Sequence, residues 1–220
     1  DRSVTVQTTA TNSDIIVGAA VNWSANNSLT LNARRNVEVN APVTAGFSGT
    51  ITKPLLSLAF GQGSSNGASS YLWIRSPITL RSGNSLTEKV GSSGAVTTYQ
   101  VVTTASALQA ISSGLSGNYA LGASLDMAGV SFTPLGTSST YFTGQFEGLG
   151  NRISNLTLNG TNYIGLFSYV GTTGQIRNIG LINVNVTGGI NTGTLVGWNG
   201  GVISNSFATG SVKTGNSGSS

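Results

Sequence analysis

The sequence predicts an all-β protein built as a solenoid of short stacked strands, with an irregular or extra-helical excursion around residues 51–100. Three observations carry this. One phrase recurs: Ile153-Ser154-Asn155-Leu156-Thr157-Leu158 returns as Ile176-Arg177-Asn178-Ile179-Gly180-Leu181 and as Ile203-Ser204-Asn205-Ser206-Phe207-Ala208, at offsets of 176 − 153 = 23 and 203 − 176 = 27 residues. A second phrase keeps the beat, with Gly165-Leu166-Phe167 returning as Gly193-Thr194-Leu195-Val196-Gly197. Self-similarity at a period in the twenties marks coils that each stack on the last. The composition agrees: 31 glycines and only 7% charged residues in 220 describe a β-rich, turn-rich chain, and the ordinary apolar fraction excludes disorder.

In chain order, residues 1–50 carry short alternating stretches: Val4-Thr5-Val6, Asp14-Ile15-Ile16-Val17, Leu29-Thr30-Leu31 and Val37-Glu38-Val39. Each puts apolar side chains on one face at period two, as a half-buried strand requires. Turn-forming Asn and Ser clusters such as Asn26-Asn27-Ser28 separate them. Residues 51–100 are the least regular. The run 61–70, GQGSSNGASS, holds no apolar side chain larger than alanine and reads as a surface loop; Tyr71–Ile74 and Pro77–Leu80 read as strands. From 101 to 214 the coils resume. One short helix is expected there, capped by Ser106 over Ala107–Ile111, with Leu108 and Ile111 on one face and Gly114 ending it. Residues 215–220 form a Gly/Ser-rich tail.

In a parallel stack, equivalent inward positions must be apolar in every coil. Leu156 and Leu158 are expected to lie over Ile179 and Leu181; where Ser206 and Ala208 replace larger side chains, either the core narrows or Phe207 helps to fill it. Asn155, Asn178 and Asn205 share one phase and are expected to form a structural ladder, their amides bonding from coil to coil. Tyr163, Tyr169 and Trp198 are candidate sugar-stacking residues, with core or coil-edge packing as the alternative role.

The charge pattern removes several function classes. A net charge of +4 comes from ten basic and six acidic residues scattered along the chain, with Arg34-Arg35 the one adjacent basic pair, so no nucleic-acid partner is expected. The absence of Cys and His excludes disulfides, thiol nucleophiles and metal sites built on those ligands; no cofactor is expected. No apolar run reaches the roughly 18 residues that membrane insertion needs. Asp1-Arg2-Ser3-Val4-Thr5 reads as mid-protein sequence. Carbohydrate-degrading β-helices need paired carboxylates, or a calcium-bound substrate with a basic residue nearby. Asp126 and Glu147 sit about one coil apart (147 − 126 = 21 residues) and could approach if their coils adjoin; no catalytic residue is assigned, and this pair stands as the test of the enzyme alternative.

Two resemblances follow from quoted stretches. FTGQFEGLGNRISNLTLNG, YIGLFSYVGTTGQIRNIGLINVNVTGG and TGTLVGWNGGVISNSFATGSV resemble the GLUG-type repeats of bacterial surface adhesins and large secreted exoproteins, and LQAISSGLSGNYALGASLDMAGVSFTPLG is similar to the segment that leads into them. DIIVGAAVNWSANNSLTLNARRNVEVNAPV resembles filamentous-haemagglutinin coils. The resemblance implies a right-handed parallel β-helix, export by two-partner secretion through an outer-membrane transporter, and a secreted or cell-surface location. It also implies a non-enzymatic adhesin segment that attaches to host cells, other bacteria or biofilm matrix through a glycan or protein receptor. The Asn-Pro-Asn motif of the family's secretion domain does not occur, which places this stretch downstream of that domain. The alternatives are a passive shaft displaying a distal domain and a polysaccharide-degrading enzyme. Asn-x-Ser/Thr triplets at Asn22, Asn26, Asn155, Asn159 and Asn185 are candidate glycosylation sites.

Overall fold

The structure, a computed structural model, describes residues 3–47, 49–50 and 52–214. The expected Gly/Ser-rich tail at 215–220 lies outside the described residues. The chain is nearly all β, a stacked-coil parallel β-helix of about eight turns with one short α-helix. It divides into two compact units, Asp1–Val102 and Thr103–Ser220.

In the first unit each coil contributes up to three strands. The first coil holds β1 (Val4–Gln7), β2 (Ile15–Val17) and β3 (Val21–Trp23); the second holds β4 (Leu29–Asn32), β5 (Val37–Val39) and β6 (Val43–Ala45). The third holds β7 (Leu56–Phe60), β8 (Leu72–Ile74) and β9 (Ile78–Thr79). They stack in parallel as three sheets, β1-β4-β7, β2-β5-β8 and β3-β6-β9. The alternating stretches read from the sequence are these strands, and their inward columns are apolar: Leu31 pairs with Leu58, and Val37 with Leu72. Every such column removes apolar surface from water on both sides of each side chain, which is what holds so small a cross-section together.

The excursion is a hairpin. β10 (Gly83–Val90) first stacks in parallel on β7, Leu86 on Leu56, and the chain then reverses into β11 (Val96–Val102), antiparallel to β10. Most of 51–100 is ordinary coil, because β7, β8 and β9 keep register with the coil beneath; the departure is confined to 83–102. The run 61–70 is the loop expected of it, linking β7 to β8.

The second unit opens with α1 (Ala105–Gln109), continued by a 3-10 turn, Ala110–Ser113. Its cap is Thr104, not Ser106: Thr104 has extended backbone and its hydroxyl accepts from Ala107 N, so the helix starts two residues earlier than the sequence suggested. Leu108 and Ile111 are buried and Gly114 ends the turn, as expected. The coils follow. β12 (Asn118–Leu121) and β13 (Leu125–Asp126) come first, then β14 (Gln145–Glu147), β15 (Arg152–Ser154), β16 (Thr157–Asn159) and β17 (Phe167–Val170). After them run β18 (Gln175–Arg177), β19 (Gly180–Gly188), β20 (Val196–Asn199), β21 (Val202–Ser204) and β22 (Phe207–Thr214). The parallel columns are β12-β14-β18-β21, β13-β15-β19-β22 and β17-β20, with β16 also on β19.

This register corrects the repeat. Ile153 does not stack on Ile176; it stacks on Leu181, 181 − 153 = 28 residues away, while Ile176 sits between Phe146 and Ile203. The phrase Ile-x-Asn occurs at two different corners, Ile153 at one and Ile176 and Ile203 at the other, so the offset of 23 compares different corners and the offset of 27 is a true coil step. Consequently Leu158 lies over Val186, and Ile179 belongs to another column. Phe207 does not fill the core: it pairs with Gly180, stays exposed, and rests against the Arg152 guanidinium at 6.0 Å, while Ala208 lies over Leu181. The last described coil is the least covered. Ile203 is 37% exposed where Ile176 beneath it is fully buried.

Candidate functional site

The three aromatic residues singled out in the sequence are brought together, and a fourth joins them. Tyr169 on β17 lies directly opposite Trp198 on β20. Phe142 bridges Val170, which puts Tyr141 beside Tyr169 from the other side. The ring centroids of Tyr141, Tyr169 and Trp198 form a near-equilateral triangle, at 5.6 Å, 6.1 Å and 5.9 Å, with planes tilted by 35–43°. Tyr163 stacks on Tyr169 at 4.7 Å. These separations fall in the favourable range for aromatic pairs.

The members differ in what they offer. Tyr169 is the hub, only 8% exposed, and Tyr163 closes one of its faces. Loss of water around the Tyr169 hydroxyl, with Tyr163 beside it, raises its pKa above the usual tyrosine value. Tyr141 and Trp198 form the outer surface, 42% and 41% exposed. Local backbone keeps them in place. A side chain at Gly200 would come within 2.8 Å of the Trp198 ring, so the outer edge of the ring occupies space that only glycine leaves open there. Tyr163 holds φ +56°, a left-handed conformation rare for a bulky residue, with its N–H donated to Ile190 O at 2.8 Å. Strain of this kind persists where the surroundings fix it, and it concentrates at functional sites. Tyr141 escaped the sequence reading because it lies outside the clear repeat, on a segment without a regular strand; its spacing ahead of Tyr169 (169 − 141 = 28) is the signal that identifies it.

The proposed asparagine ladder is rearranged. Asn155, Asn178 and Asn205 all turn corners in the left-handed region, at φ +57°, +55° and +48°. Asn178 and Asn205 follow paired strands and share one corner. Asn155 belongs to the other corner, where Asn183 donates to its Oδ1 at 2.7 Å. Asn178 instead directs its amide at Glu147, 3.0 Å from each carboxylate oxygen.

The two acids of the enzyme alternative are separately employed. Glu147 is fully buried and accepts from Arg177 Nε at 2.6 Å, from Asn178 Nδ2 and from Leu149 N at 2.8 Å. The last bond holds Leu149 at φ +54° in a tight corner. Asp126 sits on a different sheet, exposed, accepting from Asn155 Nδ2 at 2.8 Å and from Ala128 N at 3.0 Å; these bonds lower its pKa, as expected for a turn carboxylate. Among the described residues no group of three or more His, Cys, Asp or Glu side chains is arranged to hold a metal, and no helix is long and apolar enough to cross a membrane.

Comparison with known proteins yields partial likenesses. No family profile and no solved structure matches the chain, so the GLUG and filamentous-haemagglutinin likeness rests on the quoted motifs alone. The chain is 39% identical over 87 residues to halomucin of Haloquadratum walsbyi, covering 38% of this chain and 1% of that protein. It is 40% identical over 90 residues to a protein of Evansella cellulosilytica described as a Gly-rich membrane protein, covering 39% of this chain and 10% of that one. The chain thus spans a small fraction of the curated relatives it matches.

Proposed function

We propose that this chain is a non-catalytic adhesin segment displayed outside the cell, holding a carbohydrate through the outer faces of Trp198 and Tyr141. The observation that carries it is that pair: two large rings, each about two-fifths exposed, held side by side with centroids 5.9 Å apart. Aromatic faces bury the apolar side of a sugar ring while its hydroxyls stay hydrated, and the rigid coil holds both rings in advance of binding. The names of the two relatives, a mucin and a membrane protein, accord with a cell-surface setting. The GLUG-type motifs add export through an outer-membrane transporter and attachment to host cells, other bacteria or biofilm matrix. The enclosure of Glu147 favours this reading over a polysaccharide-degrading enzyme, since a carboxylate bonded to Arg177, Asn178 and Leu149 N is not poised to move a proton.

A glycan array probed with the whole chain and with Trp198→Ala tests it. Binding to defined glycans that falls at least tenfold in the variant, with unfolding unchanged, supports the adhesin. A chain that binds no glycan and no cell surface is a passive shaft.

A further inference from the structure

In the first unit a cleft of about 610 Å³ opens between Thr50, Thr52, Lys53 and Pro54 on one side and Arg81, Ser82, Gly83 and Thr98 of the β10–β11 region on the other. Lys53 and Arg81 stand in its walls with the hydroxyls of Thr50, Thr52, Ser82 and Thr98, and no carboxylate among the described residues lines it. The excursion from the coil creates this space. Thr98 lies on β11, and it reaches the cleft because the chain reverses after β10 instead of starting another coil.

The charge in the cleft is uncompensated among the described residues. Lys53 Nζ donates to Ser3 Oγ at 2.9 Å, and Arg81 donates to the Gly49 carbonyl; neither meets an acid. The described acids of this unit are engaged elsewhere: Asp14 by Arg35, Glu38 by Arg75 and Glu88 by Tyr99. A guanidinium and an ammonium keep several donors beyond the single bond each makes here. In a chain with ten basic residues in 220, two such cations in one cleft concentrate positive potential where a ligand would enter.

We propose that this cleft binds a sugar bearing a carboxylate, with Arg81 and Lys53 grasping the carboxylate and the threonine and serine hydroxyls meeting the hydroxyls of the ring. The planar guanidinium matches a carboxylate, and charge-assisted bonds of this kind are the strong ones. The volume lies within the roughly 300–1,000 Å³ of ligand pockets, more than a lone anion fills. The ring of side-chain hydroxyls favours a sugar over a bare phosphoryl group, since those hydroxyls match the several hydroxyls of a sugar ring. The proposal extends the carbohydrate-binding reading to a second, acidic ligand class, and its test is independent of Trp198.

The test is calorimetric titration of the whole chain carrying Trp198→Ala, which removes the aromatic site, with a galacturonate trimer and with the uncharged galactose trimer of the same linkage. The acidic trimer binds and the neutral one does not, and added salt weakens binding. Added to that chain, Lys53→Gln and Arg81→Gln each lower affinity about tenfold or more, the loss expected for one hydrogen bond to a charged group. Because Arg81 also bonds the Gly49 backbone, Lys53→Gln, at an exposed side chain, is the decisive variant. Unchanged affinity in Lys53→Gln, or equal binding of the neutral trimer, overturns the proposal. Inorganic phosphate or sulfate that displaces the trimer at equal concentration reduces the cleft to a bare anion site and overturns the sugar. Loss of glycan-array binding in Trp198→Ala bears on the aromatic site alone.

Discussion

Asn183 Nδ2 donates to Asn155 Oδ1 at 2.7 Å from one coil to the next, and both residues hold left-handed backbone, at φ +53° and +57°. Asn155 passes the bond on, its own Nδ2 donating to Asp126 Oδ1 at 2.8 Å, so one amide column spans three coils. Asparagine suits the position twice over, since it tolerates this backbone and offers both a donor and an acceptor. Asn155→Ala should lose both benefits, costing about 2–3 kcal/mol, whereas Asn155→Gly keeps the backbone freedom and should cost only about 1 kcal/mol. Urea unfolding of the two variants checks this. Equal losses would mean that the backbone conformation carries none of the effect.

The buried carboxylate of Glu147 should matter more than any surface pair. Glu147→Gln removes the charge facing Arg177 and leaves that guanidinium, itself only partly exposed, without its anion. A loss of about 3 kcal/mol is expected, the lower end for breaking a buried pair. In a double-mutant cycle with Arg177→Gln the two losses should fall clearly short of additive. Additive losses would show that the bond contributes little.

Asp14 gives the fold a small acid-sensitive component. The Arg35 guanidinium, bonded to both of its oxygens, lowers its pKa from 3.8 to about 2, with Asn36 N adding a further bond. A depressed folded pKa means that the unfolded chain binds the proton first, so this stabilisation is complete above about pH 4 and disappears as pH falls through about 2. Arg35 is nearly half exposed, which limits the gain to about 1 kcal/mol. Asp14→Asn should therefore be less stable at pH 7 by that amount and converge on the parent near pH 1. A difference independent of pH would contradict the assignment.

Gly148 is needed for closeness between coils. A Cβ there would strike the backbone of Asn178 and Ile179, neither of which can turn aside. Gly148→Ala should destabilise by more than about 3 kcal/mol, as overpacking against rigid backbone does. Gly18→Ala, where a Cβ meets nothing within 4 Å, is the matched control and should change stability by less than about 0.5 kcal/mol. Thermal unfolding of the two separates them.

The stacked-coil architecture was legible because period-two stretches and a repeat in the twenties have few other physical solutions. Register was only partly legible. Ile153-Ser154-Asn155 and Ile176-Arg177-Asn178 look like successive coils, yet they are two corners of neighbouring coils, because each corner makes the same demand: an inward apolar residue, then a residue that accepts left-handed backbone. Sequence similarity reports that local demand and not the column in which it is met. The hairpin at 83–102 was placed too broadly, since the Gly/Ser loop at 61–70 looks irregular while the strands flanking it stay in register. Tyr163, Tyr169 and Trp198 were found as residue types. Their assembly around Tyr169, and the part played by Tyr141, depend on which coils adjoin.

A chain whose corners share one vocabulary faces a hazard while it folds: a segment can settle one corner out of place and still satisfy most of its apolar contacts. Glu147 counters this. Only the native arrangement brings Arg177 and Asn178 to its carboxylate, and any slipped arrangement would strand an anion in the interior. The one fully buried acid of the second unit thus works as a proofreading key, making mis-threaded coils costly where the repeat itself cannot tell them apart.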